Sequence, residues 1–107
     1  MKEGYFHRVT AQTPTRFWIN NVTREEADIS QEAGAVGCTQ NPSYVYKMLV
    51  HDREKVHAYK KLDTILKRVD DDNLAQEMLQ QELVGEVARK FLPLYEQSNG
   101  KYGYVSI

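Results

Sequence analysis

Thr39-Gln40-Asn41-Pro42-Ser43 is the stretch with the side chains best suited to handling a ligand, and it follows directly on the apolar run from Ala35 to Cys38. A cluster of short polar side chains at such a place has the form of an active-site strand end more than of a surface loop. Pro42 stands where a helix can begin. The pattern predicts a β-strand handing over to an α-helix. In parallel α/β folds ligands bind at that crossing, because strand carboxyl ends and the following backbone N–H groups share one crevice. Asn20, the polar end of the run Arg16-Phe17-Trp18-Ile19-Asn20, is a second strand-end amide. Two plainer roles compete: Asn41-Pro42 also suits a simple turn, and Thr39 also suits a helix cap.

The remaining reactive residue types carry less. Cys38 is the only cysteine, sits in an apolar run with no histidine near it in sequence, and reads as a small buried hydrophobe. His7, His51 and His57 lack the spacing of a zinc site and read as solvated side chains. Lys60, Lys61 and Lys67 read as the wet face of a helix. Trp18 reads as core, and Tyr102 and Tyr104, two apart on a strand, read as packing on one face.

The elements that must position these groups follow from periodicity. A short helical lead ends near Thr13-Pro14, and Arg16 to Asn20 is the first strand. Thr23 with Glu26 three residues on makes a capping box, so a helix runs from there to Ala33, and Gly34 ends it. Ala35 to Cys38 is a second strand and Ser43 to Val50 a short helix. After Asp52, the residues Val56, Tyr59, Leu62, Leu66 and Val69 recur at three and four, predicting one apolar helix face. Asp70-Asp71-Asp72 caps a further long helix with core residues Leu74, Met78, Leu83, Val87 and Phe91, which Pro93 should kink or end near Lys90. Ser98-Asn99-Gly100 is a turn, and Tyr102 to Ile107 a third strand. Strands separated by helices predict parallel pairing and an α/β class.

The chain has 107 residues, 41% of them hydrophobic and 27% charged, which suits one small domain. Fourteen Lys plus Arg against fifteen Asp plus Glu leave a formal charge of -1, which gives nucleic acid no basic surface to bind. No stretch approaches the roughly 20 apolar residues of a membrane-spanning helix. Met1 to His7 lacks the apolar core of a secretory signal, and a lone cysteine fits a reducing compartment, so a cytoplasmic location is expected. The third strand stops within an apolar run, and the expectation is a domain spanning 1–107 that is incomplete at its C-terminus.

Phe17 to Thr23, then Thr39-Gln40-Asn41-Pro42-Ser43, then Gly103-Tyr104-Val105-Ser106-Ile107 resemble the first three barrel strands of the transaldolase family. The likeness runs from about Thr15 to Ile107 and would cover the first third or so of a TIM (β/α)₈ barrel, which is typically about 250 residues. The resemblance implies a transferase of the pentose phosphate pathway, in carbohydrate metabolism, that moves a dihydroxyacetone unit between sugar phosphates. It also implies a Schiff base on a lysine of the fourth strand, with no metal and no organic cofactor. That strand follows the three seen here, so the 107-residue chain alone is expected to be inactive.

Residue by residue, the resemblance makes Thr39, Asn41 and Ser106 substrate-binding, with Asn41 bonding the sugar. Asn20 falls where the family has an aspartate that assists proton transfer, which an amide cannot do as a carboxylate does. Gln40 replaces a second threonine and could alter sugar specificity. A sugar phosphate is the implied partner, and the sequence leaves homo-oligomerisation open. Two alternatives stand beside this reading: a small α/β interaction module complete at Ile107, and a diverged sugar-phosphate aldolase or binder on the same barrel.

Overall fold

Three short strands and five helices make up residues 4–107, the part of the chain that the computed structural model describes. Met1, Lys2 and Glu3, part of the segment read as lacking a signal, lie outside the described residues. In chain order the elements are α1 (Tyr5–Gln12), β1 (Trp18–Asn20), α2 (Arg24–Glu32), β2 (Gly37–Thr39), α3 (Tyr44–Val50), α4 (Lys55–Leu66), α5 (Asp72–Gln97) and β3 (Tyr104–Ser106). The fold is mixed α/β, mostly helical, around one parallel sheet of order β1-β2-β3. Among the described residues no helix is long and apolar enough to cross a membrane.

The two faces of the sheet differ. Ile19, Cys38 and Val105 point to one face and pack into a core completed by Val22, Ala27, Tyr44, Val45, Met48, Ala58, Ile65, Ala75, Leu79, Leu83, Val87 and Phe91, drawn largely from α2 to α5. On the opposite face Trp18, Gly37 and Tyr104 are register partners in one row, and Asn20, Thr39 and Ser106 in the next. Trp18 keeps 43% and Tyr104 49% of its surface exposed. A parallel sheet is ordinarily covered on both faces, and here only one is.

Local chemistry explains the helices. The capping box forms as the sequence predicts: Thr23 Oγ1 accepts from the Glu26 N–H at 3.1 Å, and Glu26 Oε1 accepts from the Thr23 N–H at 2.9 Å. Asp71 Oδ1 caps α5 in the same manner, accepting from the N–H groups of Asn73 and Leu74. The core face of α5 keeps the expected Leu83, Val87 and Phe91 but shifts at its N-terminal half from Leu74 and Met78 to Ala75 and Leu79. Ala75, Leu79, Leu83, Val87 and Phe91 are buried at a strict step of four, whereas Leu74 is 46% exposed and Met78 only partly covered. On α4 the buried residues are Ala58 and Ile65, and Val56, Tyr59 and Leu66 are exposed. Both faces are rotated toward their alanines, whose small side chains let the packed helices approach closely.

Pro93 does not end α5, which continues to Gln97. Its missing N–H breaks one rung of the helix, and next to that break Gln31 Nε2 donates to the Lys90 carbonyl at 2.9 Å. Trp18, expected in the core, lies on the uncovered face instead. Tyr102 sits outside β3, where its hydroxyl accepts from Arg16 Nε at 3.1 Å, so the two tyrosines do not form the expected strand pair.

Charged groups tie α2 to α4 and α5. Glu54 is buried, and its carboxylate accepts from the Arg24 backbone N–H at 3.1 Å and from Arg24 Nη2 at 2.9 Å. Glu86 meets His57 Nε2 at 2.7 Å, Lys61 Nζ at 3.3 Å and Arg24 Nη1 at 3.8 Å. His57 and Lys61 are therefore partly buried partners of Glu86, not the solvated side chains the sequence predicts.

Candidate functional site at the strand carboxyl ends

Each strand ends in a polar residue that the sheet register sets beside the next. Asn20 pairs with Thr39, and Thr39 with Ser106, so these three side chains form one row on the uncovered face at the carboxyl edge. The ladder holds one residue further: the Asn21 N–H donates to the Thr39 carbonyl at 2.9 Å, and the Gln40 N–H to the Ser106 carbonyl at 2.7 Å. The chain then turns away at Asn21, which adopts φ 52°, a left-handed conformation that asparagine tolerates better than most residues.

Hydrogen bonds fix the row internally. Thr39 Oγ1 donates to Asn20 Oδ1 at 3.0 Å, so this hydroxyl orients a strand-end amide and does not cap a helix. The Asn41 N–H donates to Asn21 Oδ1 at 3.0 Å, linking the ends of β1 and β2. Asn41 Oδ1 in turn accepts from the Ser43 N–H at 3.1 Å and from Ser43 Oγ. Lys47 Nζ reaches back from α3 to the Asn21 carbonyl. Asn20, Thr39, Asn41 and Ser106 are all exposed, and Ser106 Oγ has no hydrogen-bond partner among the described residues.

Gln40 does not join them. It is 3% exposed, shares the alternation of Cys38, and its Oε1 and Nε2 find no hydrogen-bond partner among the described residues. Its side chain lies away from the row, so a direct part in sugar specificity has no support in this geometry.

The row itself carries no ionisable side chain, and two buried titratable groups, Cys38 and Tyr44, pack behind it. Burial pushes the Cys38 thiol up to about 11, which keeps it protonated and structural. Burial likewise raises Tyr44, whose hydroxyl donates to the Val22 carbonyl at 2.7 Å. Among the described residues no group of three or more His, Cys, Asp or Glu could hold a metal ion. The arrangement can bind and orient an oxygen-rich ligand through amides and hydroxyls.

A broad concavity of about 800 Å³ lies at the opposite end of the sheet, lined by residues including His7, Val36, Pro93 and Tyr102. It is the gap beside α1, which is anchored by Phe6 stacking on Phe17 with ring centroids 4.1 Å apart. No strand carboxyl end opens into it.

Sequence reasoning missed Asn21 and Lys47. The doubled asparagine was the available signal, since one of two successive amides at a strand end can take the left-handed turn while the other stays in the sheet. Searches of family models, curated proteins and solved structures find no match to this chain.

Proposed function

We propose that β1 to β3 are the opening strands of a transaldolase-like (β/α)₈ barrel whose enzyme transfers a dihydroxyacetone unit between sugar phosphates. The observation that carries this reading is the row Asn20, Thr39, Ser106 at the carboxyl edge of a parallel sheet, on the face opposite the helical layer. In such barrels helices lie outside, side chains of further strands fill the inside, and the carboxyl face binds substrate. Exposed Trp18 and Tyr104, one row below, are the apolar layer that further strands would cover.

On this reading Thr39, Asn41 and Ser106 hold the sugar phosphate, and a lysine of a further strand forms the Schiff base. The described lysines lie on helices or in connections, none on a strand, so the covalent step belongs to a part of the barrel outside β1 to β3. The enzyme would act in the cytoplasm. Titration of the isotope-labelled full-length protein with fructose 6-phosphate tests the reading. Movement of the amide resonances of Thr39, Asn41 and Ser106 supports it. Movement confined to other surfaces removes it.

A second reading rests on the sheet edges. Among the described residues β1 and β3 each have one strand neighbour, which leaves backbone groups free to pair with another chain. A defined dimer that protects β3 amides from exchange and binds no sugar phosphate would favour it.

A further inference from the structure

We propose that Asn20 is a hydrogen-bond donor to an acceptor oxygen of the ligand, and that the β1 position of this site moves no proton. The inference rests on the sugar-phosphate reading above and gives that site its polarity.

An asparagine amide has one accepting end and one donating end. For Asn20 the accepting end is already engaged: Oδ1 accepts one bond, from Thr39 Oγ1 at 3.0 Å. For Asn41 it is taken twice, by the N–H and Oγ of Ser43. For Asn21 it is taken by the Asn41 N–H. Three neighbouring amides thus have their oxygens bound within the fold, and none of their NH₂ groups has a protein partner among the described residues. What these three amides present with no protein partner is N–H, beside the unpartnered Ser106 hydroxyl. The chemistry those N–H groups recognise is an acceptor oxygen, either the carbonyl of a keto sugar or an oxyanion such as phosphate.

Thr39, besides holding the ligand on the reading above, also positions Asn20. Its hydroxyl donates to Asn20 Oδ1 and holds the amide with its NH₂ unpaired among the described residues. A carboxylate at position 20 would accept the same bond from Thr39 and then offer the ligand a second acceptor, reversing the polarity. Protonation would restore a donor, because a neutral carboxylic acid carries one O–H.

The test compares wild type, Asn20→Asp and Thr39→Val in the full-length protein, with fructose 6-phosphate and inorganic phosphate as probes. Asn20 side-chain NH₂ resonances are followed alongside affinity between pH 3 and 7. Expected are movement of the wild-type Asn20 NH₂ signals, affinity for Asn20→Asp roughly 10-fold weaker at pH 7, as loss of one hydrogen bond implies, and recovery of that affinity as pH falls. Thr39→Val should weaken binding by about 3-fold through the loosened amide.

Wild-type binding with unmoved Asn20 NH₂ signals overturns the donor role while leaving the sugar-phosphate reading intact, and so does equal or tighter binding by Asn20→Asp at pH 7. Inorganic phosphate moving the Asn20 NH₂ signals where fructose 6-phosphate does not keeps the donor role and removes the sugar. No response to either probe overturns both.

Discussion

Trp18 lies flat across Gly37 on the neighbouring strand: a Cβ added to Gly37 would meet three atoms of the indole at 2.8 Å. The two residues are register partners directly below the polar row, so the ring forms the apolar floor under Asn20 and Thr39. Gly37→Ala should push the ring off the sheet. The ring has open space above it, so the cost should stay near the low end of the overpacking range, about 1 kcal/mol. Trp18 is the single tryptophan, and its emission should shift while the urea midpoint falls only slightly. Unchanged emission would show that the ring does not rest there.

Gly103 gives a harsher test of how β3 is docked. It adopts φ 91°, and a Cβ there would lie 2.5 Å from the Tyr95 nitrogen and 2.8 Å from the Phe91 carbonyl oxygen. Both are backbone atoms of α5 and cannot swing aside. Gly103→Ala should therefore cost roughly 3 kcal/mol, combining strain and overpacking. Hydrogen exchange of the β3 amides should accelerate well before that of α4.

Glu54 links stability to pH. Burial acts to raise its pKa, but hydrogen bonds from the Arg24 guanidinium and backbone outweigh that and hold it below the usual carboxylate range. A depressed folded value gives stability that is present above the unfolded pKa of about 4.3 and is lost as pH falls through the folded value. Glu54→Gln should lose about 2 kcal/mol at pH 7, a figure discounted because the Arg24 side chain is 40% exposed. The variant should also show a shallower decline than wild type below about pH 4. Urea midpoints at pH 7 and pH 3 measure both effects, and parallel curves would contradict the role given to Glu54.

The core face of α5 can be checked by contrast. Phe91 is fully buried and Phe91→Ala should cost about 4 kcal/mol. Leu74 is 46% exposed, and Leu74→Ala should change stability by under about 1 kcal/mol. Similar losses at both sites would mean the helix is rotated toward the face read from sequence.

What could be read from the chain depended on the range of the interaction. The Thr23–Glu26 cap is a contact between residues three apart, and it was legible as written. The strand ends at Asn20 and Thr39 were legible too, because polar residues stop apolar runs. That Asn20, Thr39 and Ser106 share one row depends on register between segments up to 67 residues apart along the β2–β3 pairing, which local pattern does not carry. Trp18 misled because its type favours burial, while the face it takes is set by alternation from Ile19 and by the space above Gly37. On α5 apolar residues occur at both 74 and 75 and at both 78 and 79, so two faces competed. In the fold Ala58 and Ala75 are among the members of these faces that lie in the core.

The most direct test of the barrel enzyme is to incubate the full-length protein with fructose 6-phosphate, reduce with borohydride, and read the intact mass and the modified residue. A single reduced sugar-phosphate adduct on a lysine outside β1 to β3, diminished in Asn41→Ala, is the expected result. Absence of any adduct, with the resonances of Thr39, Asn41 and Ser106 unmoved by the sugar phosphate, would contradict the assignment and leave strand-edge pairing as the role of this sheet.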